Sequence, residues 1–585
     1  MSLRVWIQRL AVIAVIAWSL APAGCTKEEI RRLFDKEEKK SQPEPIAPPA
    51  VSSVAVQGTI GQLVTIDGLR LTHVRGFGLV VDLVDTGGSD GPEVVKNYLA
   101  KEIRTWQDPS QPPISLQEML DSRDAAMVEV TGLIPAAARK GDRLDVVVRA
   151  LGTQTKSLVG GRLVLGSLKL YADTPAGVIE GTTLGTAAGP VFVSSLDLDG
   201  KLAKKVDLRT GWVLGGGIAK EDRRVRLVLN DPRYSLAQQI VARLNGRYST
   251  GDPMAVGQSP SYVDLHIPEK FLAHKRLFLE RVLFTSLNPN EAFLAQRTKD
   301  LATVIVEPHA EYESIGLAWE AIGQMCLPTV KELYTHSTPE VSYFAGRTGM
   351  RLGDQRGMEV VAKYAKQADS PLRNQAIDEL GLAMDMYGAG ECLRGLLSDP
   401  DANVRIRAYK ALRQRPHPAI RSKVLYEDNL ILDIVESTGP YLIYVQRSMV
   451  PRIAVFGSQM SCKPPAIYPG EHRDARRIQA QISAAEGADS LTVIYNNKRT
   501  RKNSPPLTVS LNVAEMISFL GGTPVRDENG NVLGLGAPYS EIVDILAVFC
   551  DPDTKTIPAT FVAEDLEGKE EVKNEGERER KESEF

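Results

Sequence analysis

The stretch Arg143–Tyr171, RLDVVVRALGTQTKSLVGGRLVLGSLKLY, decides how the first half of this chain is read. Its front, RLDVVVRAL, is a short apolar run, and GRLVLGSLKLY alternates apolar and polar residues, the period of a strand with one face buried. Between them Lys156-Ser157 and Gly160-Gly161 imitate parts of a phosphate-binding loop. Such a loop needs glycine immediately before the lysine, so that backbone N–H groups can curl around the phosphate. Thr155 holds that place and the glycines follow instead. The order argues for strands joined by a shaped connection and against a nucleotide cofactor.

Working outward, FGLVVDLV is another short apolar run and RRVRLVLN alternates, with Gly, Asp and Pro as punctuation. Helical patterns intervene at GPEVVKNYLAKEIRTW and at SLAQQIVARLNGRY, the latter with Ser235 expected as its N-cap. Residues 55–289 therefore read as a strand-rich α+β region. Residues 290–416 are helical and repetitive: Val341, Leu372 and Val404 align, as do Ala345, Ala376 and Ala408. The period, about 31 to 32 residues, falls in the range of helical solenoids, and the segment resembles short HEAT-type repeats. Residues 419–563 return to strands (LILDIVE, YLIYVQ, RIAVFG, LTVIYNN, LTVSLN), with Asn529-Gly530 as a hairpin turn. The fold class expected for the whole is α+β.

The ends differ in kind. Arg4 and Arg9 precede an apolar run from about Leu10 to Leu20 that ends in small residues, the build of a secretory signal over residues 1–25. Two cleavage readings stay open: Ala21-Pro22-Ala23 suits an ordinary signal peptidase, and Ala23-Gly24-Cys25 suits a lipoprotein signal that lipidates Cys25. Residues 26–54 are charged and then proline-rich, a tether, and residues 564–585 are a charged tail. A chain of 585 residues with a net charge of −3 has no global basic field, so nucleic acid is not an expected partner. Export would leave Cys326, Cys392, Cys462 and Cys550 in a disulfide-permissive compartment, either free and buried or bridged.

Other motifs that suggest chemistry lack their partners. Gly87-Gly88-Ser89-Asp90-Gly91 matches G-x-S-x-G, but no acid and histidine follow in a usable arrangement and no oxyanion segment is visible. The seven histidines contain no H-E-x-x-H, and His266 with Glu269 is an isolated pair. Asp527, Asn529 and Asn531 imitate the start of a calcium loop, but Val532 replaces the glycine that its sharp turn needs. No catalytic, cofactor-binding or metal-binding residue is assigned.

What remains is a family signature. VRGFGLVVDLVDTGGSDG, Val74–Gly91, resembles the Gly-Tyr-Gly-Leu-Val-Val-Gly-Leu-x-Gly-Thr-Gly-Asp pattern of bacterial flagellar P-ring proteins, with Gly76 and Gly78 on its first glycines. Ala125–Tyr171 is similar to the segment that follows there, and Pro135, Gly141, Asp145, Val146, Val148, Gly152, Ser157, Leu158, Gly160, Gly161 and Leu168 stand on its motif positions. NVAEMISFLGGTPV and SEIVDILAVF look like split halves of the family's closing segment, which makes the helical repeats an insertion. The resemblance implies a structural, non-catalytic subunit exported to the periplasm. There it would assemble with itself into a closed ring around the flagellar rod, beside the outer-membrane ring proteins, as a bushing in the peptidoglycan layer of the basal body. The alternative is an envelope lipoprotein scaffold, tethered through Cys25, that keeps the ring-type domain and binds a protein partner through its repeats. Ring closure needs a heterologous interface, and strand edges suit it. The segment Ser157–Leu168, with the motif glycines, is expected at or beside that interface. Bulky substitution of Gly160 and Gly161 would then block assembly and leave the chain folded.

Overall fold

The computed structural model describes residues 54–106, 120, 122–174, 177–196, 201–203, 206–249, 251–425, 430–468, 471–472, 476–477, 480–497, 502–528, 530 and 532–564. The export segment with Cys25, the tether up to residue 53, the tail beyond Glu564, and Asn529 and Asn531 lie outside them. In chain order the first region comprises β1 (Val64–Asp67), β2 (Thr72–Val81), α1 (Glu93–Trp106), β3 (Ala126–Ile134), β4 (Arg143–Ala150), β5 (Arg162–Thr174), β6 (Gly177–Pro190) and β7 (Thr210–Ala219). It continues through β8 (Val225–Leu229), α2 (Tyr234–Tyr248), β9 (Ala255–Val256), β10 (Tyr262–Leu265) and α3 (Lys275–Leu283).

Strands β2-β3-β4-β7-β6-β5 close into an antiparallel barrel, inserted between β1 and β8 of a small sheet ordered β1-β8-β10-β9. Alternation sends Leu144, Val146 and Val148 of β4 inward to meet Val74, Val80, Val128, Val130, Leu163, Leu168 and Val213. A barrel this narrow is filled by side chains and has no channel. Helix α1 packs outside it through Val95 and Leu99, against Leu79 and Met127. The small sheet buries Leu227, Val263, Ile240 and Phe278 in a core of its own. Ser235 lies within the first turn of α2, whose cap position is held by extended Arg233.

The helical region holds α4 (Glu291–Val304), α5 (Tyr312–Ile322), α6 (Leu327–Glu332), α7 (Pro339–Arg351), α8 (Gln355–Lys366), α9 (Arg373–Leu382), α10 (Ala389–Leu396) and α11 (Ala402–Leu412). The aligned alanines Ala345, Ala376 and Ala408 are all fully buried, one each on α7, α9 and α11. A small side chain there lets successive helices lie close. Charge crosses the stack as well as apolar contact. Glu320 of α5 is buried, and its carboxylate accepts from Arg281 at 2.7 Å and Arg351 at 2.7 Å, while Arg351 also donates to Glu379 of α9 at 2.8 Å. Burial alone would raise the Glu320 carboxyl. The guanidiniums of Arg351, Arg281 and Arg347 outweigh it and hold the group below the ordinary carboxylate range.

The last region begins with β11 (Ile420–Leu425), β12 (Leu430–Val435), β13 (Leu442–Gln446), β14 (Arg452–Phe456), β15 (Ala466–Tyr468), β16 (Glu471–His472) and β17 (Arg476–Arg477). It ends with β18 (Ala480–Ala484), β19 (Ser490–Asn497), β20 (Lys502–Asn503), β21 (Leu507–Ser510), α12 (Val513–Gly521), α13 (Tyr539–Phe549) and β22 (Thr560–Ala563). A mixed sheet β11-β12-β14-β13-β22 lies at its centre. Leu442, Tyr444, Ala454 and Phe456 face the core of the helical region, and Ile443, Val445, Ile453 and Val455 face a second core that includes Met516 and Ile517 of α12 and Ile542 and Ile545 of α13. Burial on both faces is why these strands read as unbroken apolar runs. The helical region thus shares its core across residue 416, and the same core reaches back to Ala55 and Val56, whose neighbourhood is pinned by Arg297 donating to Ala55 O at 2.7 Å. Cys326 and Cys392 sit in this core, Cys462 and Cys550 in or against the second; all four are free thiols. The hairpin expected around Gly530 is present in its described flanks, with Arg526 and Val532 bridged antiparallel.

Removing one partner of a buried ion pair costs about 3–5 kcal/mol, so Glu320→Gln is expected to destabilise the chain by that order. Because the folded-state value of Glu320 is depressed, its contribution is present above the unfolded value of about 4.3 and is lost as pH falls through the lower folded value. Thermal melts of wild type and Glu320→Gln should differ most near pH 6 and converge only as pH falls through the depressed folded value, below the ordinary carboxylate range.

Candidate functional site

The signature residues meet at one end of the barrel, where the loop leaving β2 lies against the loop joining β4 to β5. Thr86 O accepts from the amides of Lys156 at 2.8 Å and Ser157 at 3.3 Å. The Thr86 hydroxyl lies 2.7 Å from Leu83 O and 2.9 Å from Ser157 O. Gly87 and Gly88 donate to Arg123 O and Ala125 O at 2.8 and 2.9 Å. The amides that a phosphate would need, or an oxyanion, are therefore spent on holding two loops together.

Asp90 completes the clasp. Its Oδ2 accepts from Thr153 N at 2.5 Å, the Thr153 hydroxyl at 2.7 Å and Gln154 N at 2.9 Å. Burial opposes ionisation, but these hydrogen bonds win and hold the Asp90 carboxyl below its ordinary value. Gly152 makes room, since a Cβ there would stand 2.0 Å from Asp90 Oδ1. The G-x-S-x-G match is thus a strand-to-helix connection whose aspartate, not its serine, has the structural work. Asp82 and Asp85 occupy positions where the signature has glycine, and both take left-handed backbone, φ +65° and +64°. Aspartate is among the few side chains that tolerate it.

The other candidates are distributed along the barrel. Ser157 Oγ accepts from Val159 N at 3.1 Å, and Leu158 is fully buried. Gly160 turns the chain at φ +75°, and a Cβ on Gly161 would meet Val80 and Leu83 at 2.5 and 2.6 Å, inside the barrel. Gly76 lies where β2 crosses β5, 1.8 Å separating its would-be Cβ from Ser167 O, and Gly78 is paired to both Val128 and Gly166. Pro135 and Gly141 shape the turn at the opposite end, where Arg223 donates to Pro135 O at 2.8 Å. Gly161 serves the barrel's interior, Gly76 the close contact of β2 with β5, and Gly141 and Gly160 its turns; β5 is paired on both sides from Arg162 to Lys169, so no edge of that strand is open there. Bulky substitution would disturb the fold itself, contrary to the sequence expectation of an intact chain.

Asp145 has a role that sequence reasoning missed. From β4 its Oδ1 accepts from Gly215 N at 2.6 Å and from Met449 N at 2.8 Å, in the connection between β13 and β14. Burial pushes its carboxyl up, against those two donors, and nearby Glu564 acts in the same direction as burial. Phe192 packs against Tyr539 with ring centroids 5.4 Å apart and tilted by 40°, and Ser195 donates to Asp544, so the barrel is sewn to the last region by polar and aromatic contacts. A signal was available only in hindsight: an aspartate within an apolar strand. Among the described residues no group of three or more His, Cys, Asp or Glu is gathered to hold a metal ion.

Gly161→Val is expected to destabilise the barrel by about 1–3 kcal/mol through overpacking, measurable as a lowered Tm. Asp145→Ala leaves two amides unpaired and is expected to cost about 1–3 kcal/mol. Hydrogen exchange should quicken at Gly215 and Met449 while the barrel amides elsewhere keep their protection.

Residues 59–307, which contain the barrel and the small sheet, match the family model described as Flagellar P-ring protein. Flagellar P-ring protein 1 of Vibrio parahaemolyticus is 29% identical over 234 residues, 38% of this chain and 58% of that protein. The Flagellar P-ring protein of Geobacter sulfurreducens is 23% identical over 355 residues, 57% of this chain and 90% of that protein. Flagellar P-ring protein 1 of Hahella chejuensis is 30% identical over 220 residues, 36% of this chain and 54% of that protein. The chain thus spans little more than half the length of the Vibrio and Hahella relatives. Residues 59–307, the barrel and the small sheet, are thus similar to flagellar P-ring proteins.

Proposed function

We propose that this chain is a structural subunit of the flagellar basal body, assembling with itself into a closed P ring around the rod. The observation that carries the reading is the family match over the barrel and small sheet. The site's geometry agrees with it: the loops that imitate catalytic motifs are consumed by the clasp, and the motif glycines by barrel packing. A ring of identical subunits needs two different faces that meet at a rotation that closes. The periplasm, the rod, the outer-membrane ring and the peptidoglycan layer are the surroundings that this role entails, and a lipid on Cys25 would add a membrane tether. In this reading the helical region is a HEAT-like layer added to the family core. It is fused to the last sheet by a shared apolar core, and in the scaffold alternative it is the part that would meet a partner.

Electron microscopy of basal bodies purified with and without the gene tests this directly. The ring around the rod should be absent from the deletion strain and return on complementation. Intact rings in the deletion strain would leave the scaffold reading in its place.

A further inference from the structure

The barrel does not use β5 and β6 along their whole lengths. Pairing of β5 to β2 ends at Arg75 with Lys169, and pairing of β6 to β7 ends at Gly185 with Ala219. Beyond those points β5 and β6 pair with each other alone, from Lys169 with Thr183 out to Thr174 with Gly177. Residues 170–174 and 177–183 are thus a two-stranded ribbon that continues past the barrel wall, each strand with one outer edge outside the ladders. Leu170 at its base is 44% exposed. An isolated two-stranded ribbon is marginal in water, and an open edge is a template for another strand.

A second open edge lies in the last region. Among the described residues strand β11 pairs only with β12, from Ile420 with Val435 to Leu425 with Leu430. Arg421, Ser422, Lys423 and Val424 are all exposed, so this six-residue strand is wet on both faces along its middle. The two segments differ in charge by sequence. The ribbon sequence holds Asp173 and Glu180 with no lysine or arginine, whereas β11 holds Arg421 and Lys423 with no acid. Among the described residues no ladder pairs the ribbon with β11.

We propose that the β5–β6 ribbon of one copy adds as a strand to the β11 edge of a second copy. This rests on the ring reading and deepens it by naming the two faces. They are different surfaces of the same chain, so the contact is heterologous and repeats from copy to copy. Main-chain hydrogen bonds supply the adhesion, and the opposed charges set which edges meet and in which register. The ribbon's strands, 170–174 and 177–183, are close in length to the six residues of β11.

The test is a charge swap in the full chain, read by sedimentation and electron microscopy, with circular dichroism and Tm as the folding control. Asp173→Lys with Glu180→Lys, and separately Arg421→Glu with Lys423→Glu, should each lower ring yield at least tenfold. Combining all four should restore it to within twofold. Undiminished rings in either double variant, or no recovery in the combination, would overturn the pairing while rings of the wild type leave the subunit reading standing. Hydrogen exchange of the wild type provides a check that needs no variant. Peptides covering 170–183 and 420–425 should gain at least tenfold protection when monomers assemble, and unchanged exchange in both overturns the proposal. A wild type that forms no closed assembly overturns the ring reading and this inference together.

Discussion

Six strands form a closed barrel only if the last can lie against the first, and here β2 and β5 do so because Gly76 places no Cβ where Ser167 O sits. The rest of the first region follows from that approach. Once β5 is held, Gly161 must pack on Val80 and Leu83, and the loop before it must be tied down, which Thr86 and Asp90 accomplish. The signature shared with the P-ring family therefore records the conditions for closing and clasping a barrel. Residues that invite a catalytic reading are conditions of the same kind.

The second half of the structure depends on a different arrangement, a mixed sheet covered on both faces. Its two sides belong to two cores, one shared with the helical region and one with α12 and α13. Polar groups cross the same boundary: Asp433 of β12 is buried and accepts from Tyr409 of α11 and from Arg452 of β14. A buried carboxylate with those partners fixes the helical layer's orientation as well as its position. The helical region is thus continuous with the body of the chain, anchored at its start by Arg297 and Glu320 and at its end by Tyr409.

Much of this could be read from residues. The short apolar run RLDVVVRAL and the alternation in GRLVLGSLKLY point to β4 and β5, and the spacing of Ala345, Ala376 and Ala408 points to three stacked helices, because each signal is carried by the local sequence. Barrel closure could not be read, since β2 meets β5 across about ninety residues and no short-range pattern encodes which strands pair. Asp145 was legible as a motif residue and opaque in role, because its partner Met449 lies 304 positions away. The glycine pair at 160–161 reads in sequence as part of a ring interface for the same reason: a glycine in sequence shows that space is needed, and only packing shows on which side.

The central claim is that this chain forms the ring around the flagellar rod. Its most direct test is subtomogram averaging of flagellar motors in cells whose chain carries a compact tag beside Tyr387, a residue 90% exposed on the helical region. The account predicts extra density repeated at the periphery of the ring, once per subunit. Tag density elsewhere in the envelope, with an unlabelled ring at the rod, would contradict it.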